Sequence, residues 1–214
     1  MLDILSVALR TLGAHVGAAL WALGVFACGF ILAFAVVRLD VKSLLVLPRW
    51  LLRLARKYLS PDLNPVLLFA FIFGFNAAAI FCYMLSGGLI FLPIVFDLFT
   101  GLNVGAIMLI DAQEPVDDPA PRGPPGPPMP ARAWVGFLSM FVVVAELSAF
   151  WLAIGMGMKL GHRMQADFAW ATFVREAGPR IFAYVFILVP ALAVSALAET
   201  FAIKAMLGRA GSER

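Results

Sequence analysis

AWVGFLSMFVVVAELSAFWLAIGMGM, residues 133–158, carries a single ionisable side chain, Glu146, near its centre. At about 1.5 Å per residue, a helix of this length crosses a bilayer core of about 30 Å with some tilt. A carboxyl group at mid-membrane costs about 2.5–3.5 kcal/mol on insertion scales, so its presence demands a reason. Ser139, Val142, Glu146, Ala149, Ala153 and Gly157 recur at steps of three and four, a stripe of mostly small residues down one helical face. Membrane helices approach closely along such stripes, so Glu146 is expected to point at protein and not at lipid. The plain alternative is a protonated Glu that hydrogen-bonds a neighbouring helix and does nothing more.

This span, taken as 133–159, is preceded by an acidic and then proline-rich loop, 111–132, with eight prolines between Pro115 and Pro130. Such a segment is expected to be an extended spacer that holds neither helix nor sheet, with PxxP recognition as the rival reading. Before the loop, Leu63–Ile110 holds 48 residues and one charge, Asp97. That is twice what one crossing needs, and Ser86-Gly87-Gly88 falls near its middle, so two spans over 65–110 are joined by a tight turn. The second contains Pro93, Asp97, Gly101, Asn103 and Gly105, interruptions that suggest a broken helix lining a cavity, or a merely bent structural one.

Nearer the start, 1–15 reads as an amphipathic lead-in and 16–37 as the first, uncharged span, which anchors the chain. Over 43–60, Pro48 is placed to begin a helix. Arg49, Arg53, Arg56 and Lys57 then share one face, and Leu51, Leu54, Ala55 and Tyr58 the other. A basic amphipathic helix of this kind lies along an anionic membrane surface. Calmodulin-type or nucleic-acid binding is the weaker rival. On the far side of the Glu146 span, 164–177 is expected to form a short interfacial helix anchored by Phe168, Trp170 and Phe173. The fifth span, 181–206, should be kinked by Pro190, with Ala191, Ser195, Glu199 and Ala202 on its small-residue face, and 207–214 is a tail.

With 63% hydrophobic and 14% charged residues and a mean hydropathy of +0.95, the chain is all-α: a polytopic integral membrane protein of about five spans with short interfacial helices. A net charge of +3 argues against nucleic acid as a partner. Cys28 and Cys82 lie in apolar runs and support no disulfide framework. Eleven of the sixteen Lys and Arg fall on the side of residues 38–64, the proline-rich loop and the tail. The positive-inside rule then puts the N-terminus outside and the C-terminus in the cytoplasm. Counted along the alternating spans, Asn76, Asp97 and Glu146 lie about 15–18 Å from one face, Asn103 about 23 Å and Glu199 about 27 Å. Two polar layers are expected, Asn76 with Asp97 and Glu146, and Asn103 with Glu199. Glu146 and Glu199 are not expected to be level.

FGFNAAAIF (73–81), LNVGAIM (102–108), AELSAFWLAIGMGMKLG (145–161) and ALAETFAI (196–203) occur in that order. Their sequence of polar spans resembles the stage II sporulation protein M family over roughly residues 65–206. On that resemblance Asn76, Asn103, Glu146 and Glu199 occupy the family's polar positions. Phe141, Val142 and Val143 stand where the family has Pro-His-Gly, and Val104 follows Asn103 where Gly is usual. The resemblance implies a small, typically five-span bacterial membrane protein. The family's namesake serves in a membrane-anchored complex with wall-degrading partners, as an anchor and not a hydrolase.

Three functional readings follow. The first is a non-enzymatic scaffold or anchor in a bacterial inner-membrane complex, packed against other membrane proteins or a second copy in the lipid bilayer. The second is a transporter or permease subunit working with a separate ATPase subunit. The third, an intramembrane enzyme, lacks its motifs. HExxH, GxSxG and GxxxxGK[ST] are absent, His15 and His162 have no metal-ligand spacing, and no cofactor is implied.

Overall fold

The computed structural model describes residues 2–58, 64–113 and 129–207. The chain is all-α, with no strand among the described residues. Among the described residues eight α-helices follow one another: α1 (Leu2–Gly13), α2 (Val16–Arg38), α3 (Lys42–Tyr58), α4 (Pro65–Leu85), α5 (Leu92–Gln113), α6 (Met129–Ala166), α7 (Trp170–Ala183) and α8 (Val189–Leu207). Five stretches are long and apolar enough to cross a membrane: α2, α4, α5, α6 and the continuous run from Trp170 to Ala205. Large apolar side chains such as Trp21, Phe75, Val144 and Phe201 stand exposed on them, as they must on surfaces that face acyl chains.

In lipid, burying apolar area gives little drive between helices, so association rests on close packing and polar contacts. Glycine supplies the close packing. Gly29 of α2 lies directly against the Leu98 carbonyl of α5, and Gly101 of α5 against the Phe26 carbonyl of α2, with no room for a Cβ at either. One turn on, a Cβ at Gly105 would come 2.8 Å from that of Ala33. The α2–α5 pair is therefore held backbone to backbone. Leu45 of α3 closes its far end against Ala33, Val36, Leu102 and Ala106.

The second unit is α4, α6 and α8, with Ile80, Met84, Ala149, Ala153, Met156 and Leu192 forming its core. Helix α6 belongs to both units: Phe150 and Ile154 pack on Ala22 and Phe26 of α2, and Gly155 abuts the backbone at Ala19. The turn between α4 and α5 is a 3₁₀ stretch, Ser86–Leu89, followed by Ile90 at φ 55°. Gly157 and Gly161 of α6 touch the backbone of Tyr83 and Ile90 around it. Ala149, Ala153, Gly157, Ser195 and Ala202 are all buried, on the faces where helices meet.

Several boundaries differ from the sequence reading. Pro48 lies inside α3 and does not begin it. Leu45 and Pro48 are both fully buried, and that burial outweighs the backbone hydrogen bond Pro48 cannot donate. Leu51, Leu52 and Leu54 share an apolar groove with Phe71, Phe75 and Ile107, so the apolar side of α3 faces α4 and α5. Arg49 pairs with Asp40 at 2.9 Å. Arg53 is exposed, while the side chains of Arg56, Lys57 and Ser139 lie outside the described residues. Helix α5 is unbroken, since Pro93 sits in its first turn, where a missing N–H costs nothing. Its glycines serve α2.

The separate helix expected over 164–177 does not form. Instead α6 runs on to Ala166, the chain breaks at Asp167–Ala169, and Trp170 opens a run continuous with the fifth span. Pro190 is preceded by a π-helical turn, Tyr184–Leu188, which re-spaces the backbone around the missing donor. Helix α5 reaches Gln113 and α6 starts at Met129, so both ends of the expected 111–132 loop are helical. The remainder of that loop, 114–128, and the tail from 208 lie outside the described residues.

Candidate functional site: an intramembrane carboxylate lock

Asn76 sits near the middle of α4, about 15 Å by helical rise from either end. Its Nδ2 donates to Glu146 Oε1 of α6 at 2.9 Å. Ser195 of α8, fully buried, donates through Oγ to the same oxygen at 3.2 Å. One carboxyl thus joins the three helices of the second unit at mid-depth. At the residue after Asn76, the Ala77 carbonyl of α4 accepts from the Tyr184 hydroxyl of the π segment that precedes α8, at 2.8 Å, a second polar tie between α4 and the fifth span.

Glu199 follows Ser195 by four residues on the same face of α8, about 6 Å further along the axis. It is half-buried. The two carboxyls are offset by a single turn, nearer to level than the span count implied. The count began the fifth span at Ile181, whereas the helix starts at Trp170 and the π turn shifts its register.

Asp97 does not join this cluster. Pro93, one turn before it, lies 3.2 Å from where a Gly157 Cβ would be, and Gly157 is 11 residues from Glu146 along α6. Asp97 therefore lies about 10 Å from the Glu146 level. It is fully buried and neither carboxyl oxygen has a hydrogen-bond partner among the described residues. Asn103 does not meet Glu199 either. Its Nδ2 donates to its own Phe99 carbonyl at 2.6 Å, and its Oδ1 is buried without a partner. The expected layers thus reduce to one three-helix lock, Asn76–Glu146–Ser195.

A second polar cluster was not singled out from the sequence. It lies at the face where α1 meets α7. Lys159 donates to the Ala14 carbonyl. Arg180, only 6% exposed, donates through Nε to the Met156 carbonyl at 3.2 Å and through Nη1 to Glu176, ion pair and carbonyl both. His15 Nδ1 donates to the Thr11 carbonyl at 2.6 Å. Burial holds the His15 imidazole below its usual range, with Arg180 and Lys159 adding to that effect and the Thr11 bond and Glu176 opposing it. Arg180 directly precedes the expected span 181–206; the signal that could have found it is its i, i+4 spacing from Glu176. Among the described residues no group of three or more His, Cys, Asp or Glu is placed to hold a metal ion.

Compared with known proteins, residues 22–202 match the family model described as Stage II sporulation protein M. No curated protein and no solved structure matches the chain.

Proposed function

The chain belongs to the stage II sporulation protein M family, and on that premise we propose that this multi-pass bacterial inner-membrane protein works as a non-enzymatic scaffold or anchor within a membrane complex. The observation that carries this reading is how Glu146 is used: its hydrogen bonds go to Asn76 and Ser195 on neighbouring spans of its own chain. A carboxyl used this way fixes helix register. Glu199 supplies the outward half of the argument. Half-buried on α8 one turn from the lock, it calls for a covering partner at that depth, either another membrane protein or a second copy. The excess of basic residues on the α3 side supports an external N-terminus and a cytoplasmic C-terminus.

The test is purification of the full chain in mild detergent with Glu146→Gln, Glu146→Ala and Glu199→Ala. A large complex retained by the wild type and Glu146→Gln, and lost with either alanine, supports the scaffold. The same complex with all four chains would overturn it. A transport subunit is favoured by one observation, the fully buried and unpartnered carboxyl of Asp97. An ATPase subunit recovered in fixed ratio with the chain would support that second reading.

A further inference from the structure

A recess of about 380 Å³ opens between α1 and α7, lined by Arg10, Thr11, His15, Glu176, Pro179 and Arg180 among others. It lies where Arg180 bonds the Met156 carbonyl, beside Gly157 and the turn that ends α4, and so at the level where the spans leave the membrane. His15 is 6% exposed, and its Nε2 is buried in this lining with no hydrogen-bond partner among the described residues. The bonds of Arg180 use Nε and Nη1 and leave Nη2. Among the described residues, Arg10 bonds within α1, at 3.3 and 3.4 Å to Ser6. Among the described side chains, Arg10, Lys159 and Arg180 stand around the recess against one carboxylate, Glu176, an excess of positive charge.

We propose that this recess binds a phosphate ester, presented there by a phospholipid headgroup. Two guanidiniums supply charged donors to phosphate oxygens: Nη2 of Arg180, and the fork of Arg10 once its long bonds to Ser6 give way. His15, with its Nδ1 hydrogen committed to Thr11, offers Nε2 to the same group: as a donor when the ring is protonated, which a bound anion favours, and as an acceptor from a headgroup hydroxyl when it is neutral. A recess of about 380 Å³ has room for a headgroup. The site is separate from the Glu146 lock and does not depend on the scaffold reading.

Native mass spectrometry of the full-length protein, offered equal amounts of phosphatidylglycerol and a phosphate-free galactosyl diacylglycerol, tests it. Phosphatidylglycerol should be retained in clear preference, and Arg10→Ala should cut that retention by about tenfold, the loss of one charge-assisted contact. Arg10 is exposed and, among the described residues, bonded to Ser6, so its removal leaves the fold intact. His15→Ala should act in the same direction, and Arg38→Ala, exposed at the other end of α2 and so on the opposite face, should change nothing. Displacement of the lipid by soluble glycerol phosphate would identify the bare ester as sufficient. Persistence of the lipid would identify the tethered headgroup as the occupant. Equal retention of the two lipids, or equal effects of Arg10→Ala and Arg38→Ala, would overturn the proposal.

Discussion

Glu146 takes both of its hydrogen bonds on one oxygen, from two helices far apart in sequence. Gln keeps an acceptor at that position and Ala does not. Glu146→Ala is therefore expected to lower stability by about 1–2 kcal/mol, with Glu146→Gln close to wild type, read as a shift in unfolding in mixed micelles. A double-mutant cycle between Glu146→Ala and Asn76→Ala should give a coupling of about 0.6–1.7 kcal/mol; additive losses would contradict the bond. His15 makes a different prediction. Its folded imidazole titrates below the ordinary 6.5, so below that value the unfolded chain binds more protons than the folded one. Its contribution to stability is complete above pH 6.5 and fades as pH falls toward the folded pKa. Melting near about pH 7.5 and about pH 5.5 should show an acid loss that His15→Gln diminishes. The meeting of Asn76 and Glu146 was legible because both lie mid-span, where depth can be counted in residues. Ser195 was read only as a small packing residue, since nothing in its own helix reveals that its hydroxyl faces a carboxyl on α6. Asp97 was misplaced by a few residues of turn geometry: α5 begins only at Leu92, which brings Asp97 nearer that face of the membrane than the count implied.

Hydrophobic length alone locates the five spans, and glycine decides how they fit. The GxxxG of Gly13 and Gly17 matches a familiar packing motif, yet a Cβ at either would meet nothing within 4 Å. The glycines that touch another backbone, Gly29, Gly101 and Gly105, had been read as helix interruptions or passed over, because close approach depends on which helix lies opposite. Gly17→Ala should accordingly be silent. Gly29→Leu or Gly101→Leu should force α2 from α5 at a cost of about 1–3 kcal/mol or more, seen as a lowered melting temperature or loss of the folded species in size-exclusion chromatography. Proline shows the same dependence on context. Pro93 falls harmlessly in a first turn, Pro48 is carried inside a helix by buried neighbours, and Pro190 follows a π turn. Local propensity marks each as a disturbance but does not say which kind.

Five crossings put the two ends of the chain on opposite sides of the membrane. After Cys28 and Cys82, both free, are replaced, a cysteine at Gly13 should react with an impermeant maleimide in intact cells. One at Lys204 should react only after permeabilisation; the reverse pattern would invert the topology.

The close fit of α2 with α5 also bears on how the protein is made. When α2 leaves the ribosome, its principal mate is still more than 50 residues from being synthesised. At about 5–20 residues per second that is a wait of roughly 3–10 s as a solitary helix in lipid. Val16–Val37 carries no Asp, Glu, Lys or Arg and tolerates the delay. For Glu146 the order is the opposite: Asn76 is already in the membrane when Glu146 arrives, and Ser195 completes the trio last. The order of translation thus gives the carboxylate an amide to receive it, and spares an isolated acid from having to dwell in hydrocarbon.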